Sequence, residues 1–169
     1  MESRAKLFGH PIHPVLIVFP LGLLATGVVF DILYMVTDNE TFSIASFWMI
    51  TAGILGGLLA AVFGLIDWLA IPNGTRAKSI GLWHGAGNAV IVVLFAISWL
   101  LRRDAVDYTP STLAFILELA GSGLALITGW LGGELVYRLR VGVDRGANLD
   151  APNSLTNQPA EVDSRRSRR

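Results

Sequence analysis

The chain has 169 residues, 53% of them hydrophobic and 15% charged, and a mean hydropathy of +0.56, which is more apolar side chain than a soluble domain of this size buries. Thirteen basic and thirteen acidic residues balance to a net charge of zero, so no basic surface for nucleic acid is expected. The lack of cysteine excludes disulfides, cysteine-held iron–sulfur clusters and C-x-x-C-H haem attachment.

The first apolar run, residues 12–36, is introduced by GHPIHP at residues 9–14, which holds two of the three histidines. Pro14 disfavours helical geometry at the residue before it and suits a first turn, so His13 is expected to cap the helix while Pro11 stiffens the approach. Pro20 removes one helical hydrogen bond and should kink the span. The run is longer than a signal-peptide core and its flank carries only Arg4 and Lys6, so an uncleaved span is expected. Further runs occupy residues 44–71, 80–101 and 112–136. Each exceeds the roughly 20 residues a helix needs to cross the hydrocarbon core. None alternates as a strand would, and lipid forces backbone groups to pair within a segment, so all four are helical. The expected fold is all-α, an integral membrane four-helix bundle over residues 1–144. A polar and basic tail, residues 145–169, has the composition of a disordered segment.

Eleven of the thirteen Lys and Arg residues lie in the N-terminal flank, the loop at 72–79 and the segment after residue 136. The opposite loops hold only Arg102 and Arg103. By the positive-inside rule both termini face the cytoplasm of an inner (plasma) membrane, with Tyr34, Trp48, Trp99 and Tyr108 near the outer interface and Trp68, Trp83, Trp130 and Tyr137 near the inner one. The middles of the spans are almost purely apolar, which argues against a conduit. Gly53, Gly57, Ala60, Ala61 and Gly64 on the second span, and Gly121, Ala125, Gly129 and Gly133 on the fourth, recur at close-packing spacing. These two spans are expected to pack centrally.

Ionisable side chains in lipid are expensive and point to function. His10 and His13 open the first span, Asp67 closes the second, His84 opens the third and Glu134 closes the fourth, all at the cytoplasmic side. Asp31 and Glu118 fall near the outer ends, where they are expected to reach interfacial water. Each hairpin thus starts with histidine and ends with carboxylate, and AGILGGLLA from Ala52 aligns with AGSGLALIT from Ala120. If the halves are parallel repeats about an axis along the membrane normal, His13 faces His84 and Asp67 faces Glu134.

In order and spacing, GHPIHPVLIVFPLGL, GLIDWLAIPNGTRAK, HGAGN and GWLGGELVYRLRVGVD resemble the bacterial predicted membrane proteins called domain of unknown function 2231. The resemblance covers about residues 7–144. It implies a four-span inner-membrane protein, no defined activity, and, through relatives linked to Rieske-type and other redox modules, a tilt toward redox chemistry. Its motif positions include His10, His13, Asp67, Arg76, His84, Asn88, Glu134 and Arg138.

Three functions fit these residues. His13, His84, Asp67 and Glu134 could bind a divalent metal, iron, zinc or manganese, through mixed nitrogen and oxygen ligation. His13 or His10 could pair with His84 as axial ligands of a b-type haem, with Gly85 and Gly87 leaving room for the ring. Asn88, Arg76 and Arg138 would orient these groups. In the structural alternative the same residues are caps and interfacial ion pairs, Asp67 with Arg76 and Glu134 with Arg138. No catalytic triad, phosphate loop or dinucleotide fingerprint is present, so the chain is not expected to be a catalyst on its own. Its expected partners are the lipid bilayer and either a redox protein or further copies of itself.

Overall fold

A computed structural model describes residues 1–156 and 158–160; the SRRSRR run at the C-terminus lies outside the described residues. The chain opens with a two-strand hairpin, β1 (Lys6–Leu7) and β2 (His10–Pro11), in which Lys6 pairs with Pro11 and Leu7 with His10. The turn between them holds Phe8 and Gly9 at φ of 50° and 83°, the doubly left-handed geometry of a tight hairpin turn.

Four long helices follow: α1 (Ile12–Thr37), α2 (Glu40–Ala70), α3 (Arg76–Arg102) and α4 (Thr112–Gly133). All are long and apolar enough to cross a membrane. Large apolar side chains such as Leu55, Leu58, Val62, Leu65 and Leu69 lie exposed on the outside of α2, as a lipid-facing surface requires. The ends are set by local chemistry. Asn39, Thr75 and Ser111 cap α2, α3 and α4 by accepting from the backbone N–H of Thr41, Lys78 and Ala114. Asp38, at φ 55°, closes α1 in the left-handed region. Pro72 follows the last residues of α2, where a preceding residue must leave helical geometry.

The cap of α1 is Pro11, not His13, so His13 sits inside the first turn. The helix breaks at Ile17, dividing into Ile12–Leu16 and Val18–Thr37. Pro20 supplies the cause, since it has no N–H to donate to the carbonyl four residues back, at Leu16. After Gly133, α4 widens into a π turn, Glu134–Arg138.

Packing is most extensive within the hairpins, α1 on α2 and α3 on α4, with smaller contacts of α2 with α3 and of α1 with α4. The helices therefore form a ring in which α1 lies diagonal to α3 and α2 diagonal to α4. The expectation that α2 and α4 pack on each other is corrected: Gly53 and Gly121 pack against their own hairpin partners, and Gly57 lies closest to Val92 of α3. A Cβ on Gly53 would lie 2.6 Å from Leu24, and one on Gly121 would lie 2.8 Å from Phe95. Gly129 faces open space.

Leu24, Val28, Ile50, Ile91 and Phe95 form the buried core. Leu24 and Phe95 are 71 residues apart, as are His13 and His84, and Gly53 and Gly121 are 68 apart. The two hairpins are thus built to one plan. Two aromatics expected at the outer interface turn inward: the Trp99 indole donates to Thr51 Oγ1 at 2.8 Å, and the Tyr108 ring stacks on Phe47 with centroids 4.0 Å apart.

Candidate functional site at the histidine end

His13 on α1 and His84 on α3 face each other across the bundle, their ring centroids 6.4 Å apart and their planes at 86°. Each ring is held in the same way. His13 Nδ1 donates to the Ala60 carbonyl at 2.9 Å and His84 Nδ1 to the Thr128 carbonyl at 2.8 Å. These acceptors lie on α2 and α4, 68 residues apart in the chain. Each ring also rests on a glycine of the same helix: a Cβ on Gly64 would lie 3.0 Å from the His13 ring, and one on Gly132 would lie 3.1 Å from that of His84. With the proton at Nδ1 engaged, the lone pair of each imidazole sits at Nε2. Asn88 brings its amide to 3.3 Å from His84 Nε2, donates to the His84 carbonyl at 2.8 Å and accepts from the Thr128 hydroxyl at 3.3 Å.

The other residues singled out in the sequence lie apart from this pair. His10 is exposed and hydrogen-bonds Ser154 at 3.2 Å. Asp67 accepts from the Ser3 hydroxyl at 2.8 Å and from the Arg4 N–H at 2.8 Å, so it anchors the N-terminal segment. Glu134 accepts from Arg76 at 2.6 Å, and Arg138 approaches it only to 4.0 Å. Arg76 therefore pairs with Glu134, where the structural alternative paired it with Asp67. Among the described residues no group of three or more histidine, cysteine or acidic side chains converges on one point. Gly87 does not leave room beside His84, because a Cβ there would lie 2.5 Å from Thr128, and Gly85 faces outward. The glycines under the rings are instead Gly64 and Gly132, which the 68-residue offset of the small-residue motifs would have paired.

At the other end of the bundle the expectation for Asp31 and Glu118 is overturned. Both are fully buried, at 0% exposure, and so is Arg102, which the sequence placed in a loop. Arg102 grips Asp31 with two nitrogens, at 2.6 and 2.8 Å, and reaches Glu118 at 3.1 Å. Its remaining donors go to the carbonyls of Tyr108 and Ser43. Ser46 donates to Asp31 at 2.7 Å and Ser98 to Glu118 at 2.5 Å. The signal for this cluster was the spacing: Asp31 follows His13 by 18 residues and Arg102 follows His84 by 18, so a diagonal pair at one end implies a diagonal pair at the other. At 1.5 Å per residue the two pairs are separated by about 27 Å, close to the thickness of the hydrocarbon core.

Outside the spans the termini meet. Lys6 pairs with Glu2 and Asp144, the Arg145 N–H donates to Glu2, and the N-terminal amine donates to the Arg140 carbonyl. The Arg145 N–H, followed by Lys6, holds the Glu2 carboxyl below its ordinary value, and the Asp144 carboxylate holds Lys6 above its own.

Four apolar helices in a ring, with charged groups at its two ends and lipid-facing side chains between, define a multi-pass membrane protein. Residues 9–145 match the family model of predicted membrane proteins termed DUF2231, and the chain belongs to that family. No curated protein and no solved structure matches it significantly.

Proposed function

We propose that this chain is an electron-handling membrane subunit in which His13 and His84 are the two axial ligands of a b-type haem. The observation that carries the reading is the facing pair itself: one imidazole from each hairpin, 6.4 Å apart, each with Nδ1 engaged by a backbone carbonyl. That bond orients the ring and raises the basicity of Nε2, as it does in metal-ligating histidines. A metal held between two imidazoles on opposite sides, at about 2.0–2.1 Å per bond with each centroid about 1.1 Å behind its nitrogen, sets the centroids about 6.3 Å apart; tetrahedral ligation brings them to about 5 Å. The 6.4 Å spacing is nearer the opposed arrangement, in which His13 and His84 would hold a haem iron from its two sides. A divalent ion shared with Asp67 and Glu134 has less support, because Ser3 and Arg76 already engage those carboxylates.

The eleven-to-two distribution of basic residues supports a cytoplasmic position for the histidine end and for both termini, in an inner membrane. A redox partner would then dock on that face, and residues 145–169 would be a polar tail outside the spanning domain. Cysteines placed at Asn39 and Asp107 should label from outside intact cells and one at Thr75 should not; the reverse pattern removes the orientation.

The same two Nδ1 bonds favour a second reading, a scaffold in which each histidine staples its hairpin and binds nothing. Protein purified after expression with haem supplied separates the two. The haem reading requires a Soret band that shifts on reduction and is lost in both His13→Ala and His84→Ala. Folded protein with no such band, even after reconstitution with haem, leaves the scaffold.

A further inference from the structure

The buried cluster at the arginine end has a charge count that does not close. Arg102, Asp31 and Glu118 are each at 0% exposure, so one guanidinium stands against two carboxyl groups in a site without water contact. An uncompensated charge at such a site is expensive, and intramembrane ionisable groups persist where they bind or carry something. The hydrogen bonds divide the two acids sharply. Asp31 accepts from the two terminal guanidinium nitrogens of Arg102 and from the hydroxyl of Ser46, so both of its oxygens are held by donors. Glu118 receives Ser98 and the longer Arg102 bond on Oε1 alone. Its Oε2 is buried with no hydrogen-bond partner, the only side-chain oxygen or nitrogen in that position among the described residues.

We propose that Glu118 is a proton-binding site: Asp31 is the ionised partner of Arg102, and Glu118 carries one exchangeable proton that neutralises the cluster. A proton closes the charge count at zero, one guanidinium against one carboxylate, where a divalent cation would leave the buried cluster positive. The site is independent of any haem at the histidine end.

Infrared spectroscopy of the purified protein at neutral pH tests the assignment. The wild type should show the carbonyl stretch of a neutral carboxylic acid, shifted by deuterated water and by incorporation of 13C-labelled glutamate. Glu118→Gln should lack the band and keep the wild-type thermal midpoint, because a neutral acid is exchanged for a neutral amide of the same shape. Asp31→Asn should also lose the band, since Arg102 would then have Glu118 as its sole counter-ion. A wild type with no neutral-acid band, a band that ignores glutamate labelling, or one that appears only when sodium is removed would overturn the proposal. Should Glu118→Gln fail to fold, the isotope shifts of the wild-type band still decide, and such a failure with no band would identify Glu118 as an ionised partner of Arg102.

Discussion

At the arginine end, α1 and α3 meet as Asp31 and Arg102, a doubly hydrogen-bonded ion pair closed off from solvent and tied to α2 and α4 through Ser46 and Glu118. About 27 Å along the same two helices they meet again as His13 and His84, with no direct hydrogen bond between the rings, each tied only to its own hairpin. The difference is one of spare bonding capacity. Arg102 uses every donor nitrogen it has within the cluster, so the arginine end holds the four helices in register. Each imidazole gives Nδ1 to a carbonyl of its own hairpin, and Nε2 meets only the Asn88 amide, at 3.3 Å on His84, so the histidine end is tied far more loosely across the bundle than the arginine end.

Substitutions at the two ends should separate these roles. Arg102→Leu should cost about 3–5 kcal/mol, because the Asp31 carboxylate then remains buried without its counter-ion. His84→Ala removes one bond to a backbone carbonyl and should cost only about 0.6 kcal/mol, and at most about 1.7. Unfolding of both variants in the same detergent measures the gap; equal losses would erase the distinction between a clamp and a binding site.

A smaller effect tests whether the hairpins are the packing units. Gly121→Leu should destabilise by about 1–3 kcal/mol, since even a Cβ there would lie 2.8 Å from the buried Phe95 ring. Gly129→Leu, on a face open to lipid, should stay within about 0.5 kcal/mol of wild type. Similar losses at both positions in the same unfolding assay would mean that the fourth helix packs on both faces.

The smallest effect concerns the clasp between the termini beyond the histidine end. Glu2, whose carboxyl is held below its ordinary 4.5, supports the clasp above that pH and stops doing so as pH falls through its lowered value. Lys6, held above its ordinary 10.5, supports it below that pH and stops as pH rises past its raised value. The distance between spin labels on Arg4→Cys and Ala147→Cys should therefore stay constant across neutral pH and lengthen at both extremes. A clasp that loosens near neutrality would mean that other groups hold it.

The four spans were legible in the sequence because length and hydropathy are local properties that lipid reads directly: residues 44–71 are a spanning helix whatever surrounds them. The duplication was half legible. The alignment of Ala52 with Ala120 carries the 68-residue offset that the structure uses for Gly53 and Gly121 and for the two histidine-binding carbonyls. The carboxylates do not follow it, since Asp67 lies 67 residues before Glu134. One residue of mismatch turns a helical side chain by about 100°, and the two acids find different partners.

What a residue touches across the bundle was decided only by the tertiary structure. His13 and His84 are distant in the chain, and their facing placement follows from the diagonal relation of α1 to α3, which no local pattern contains. Asp31, Glu118 and Arg102 look like interfacial residues when each is taken alone, because a charge near the end of a span ordinarily reaches water. Whether it does depends on the helices beside it. Composition thus determined that this chain lives in lipid as four helices; the order in which those helices surround one another decided which polar groups were left to meet inside.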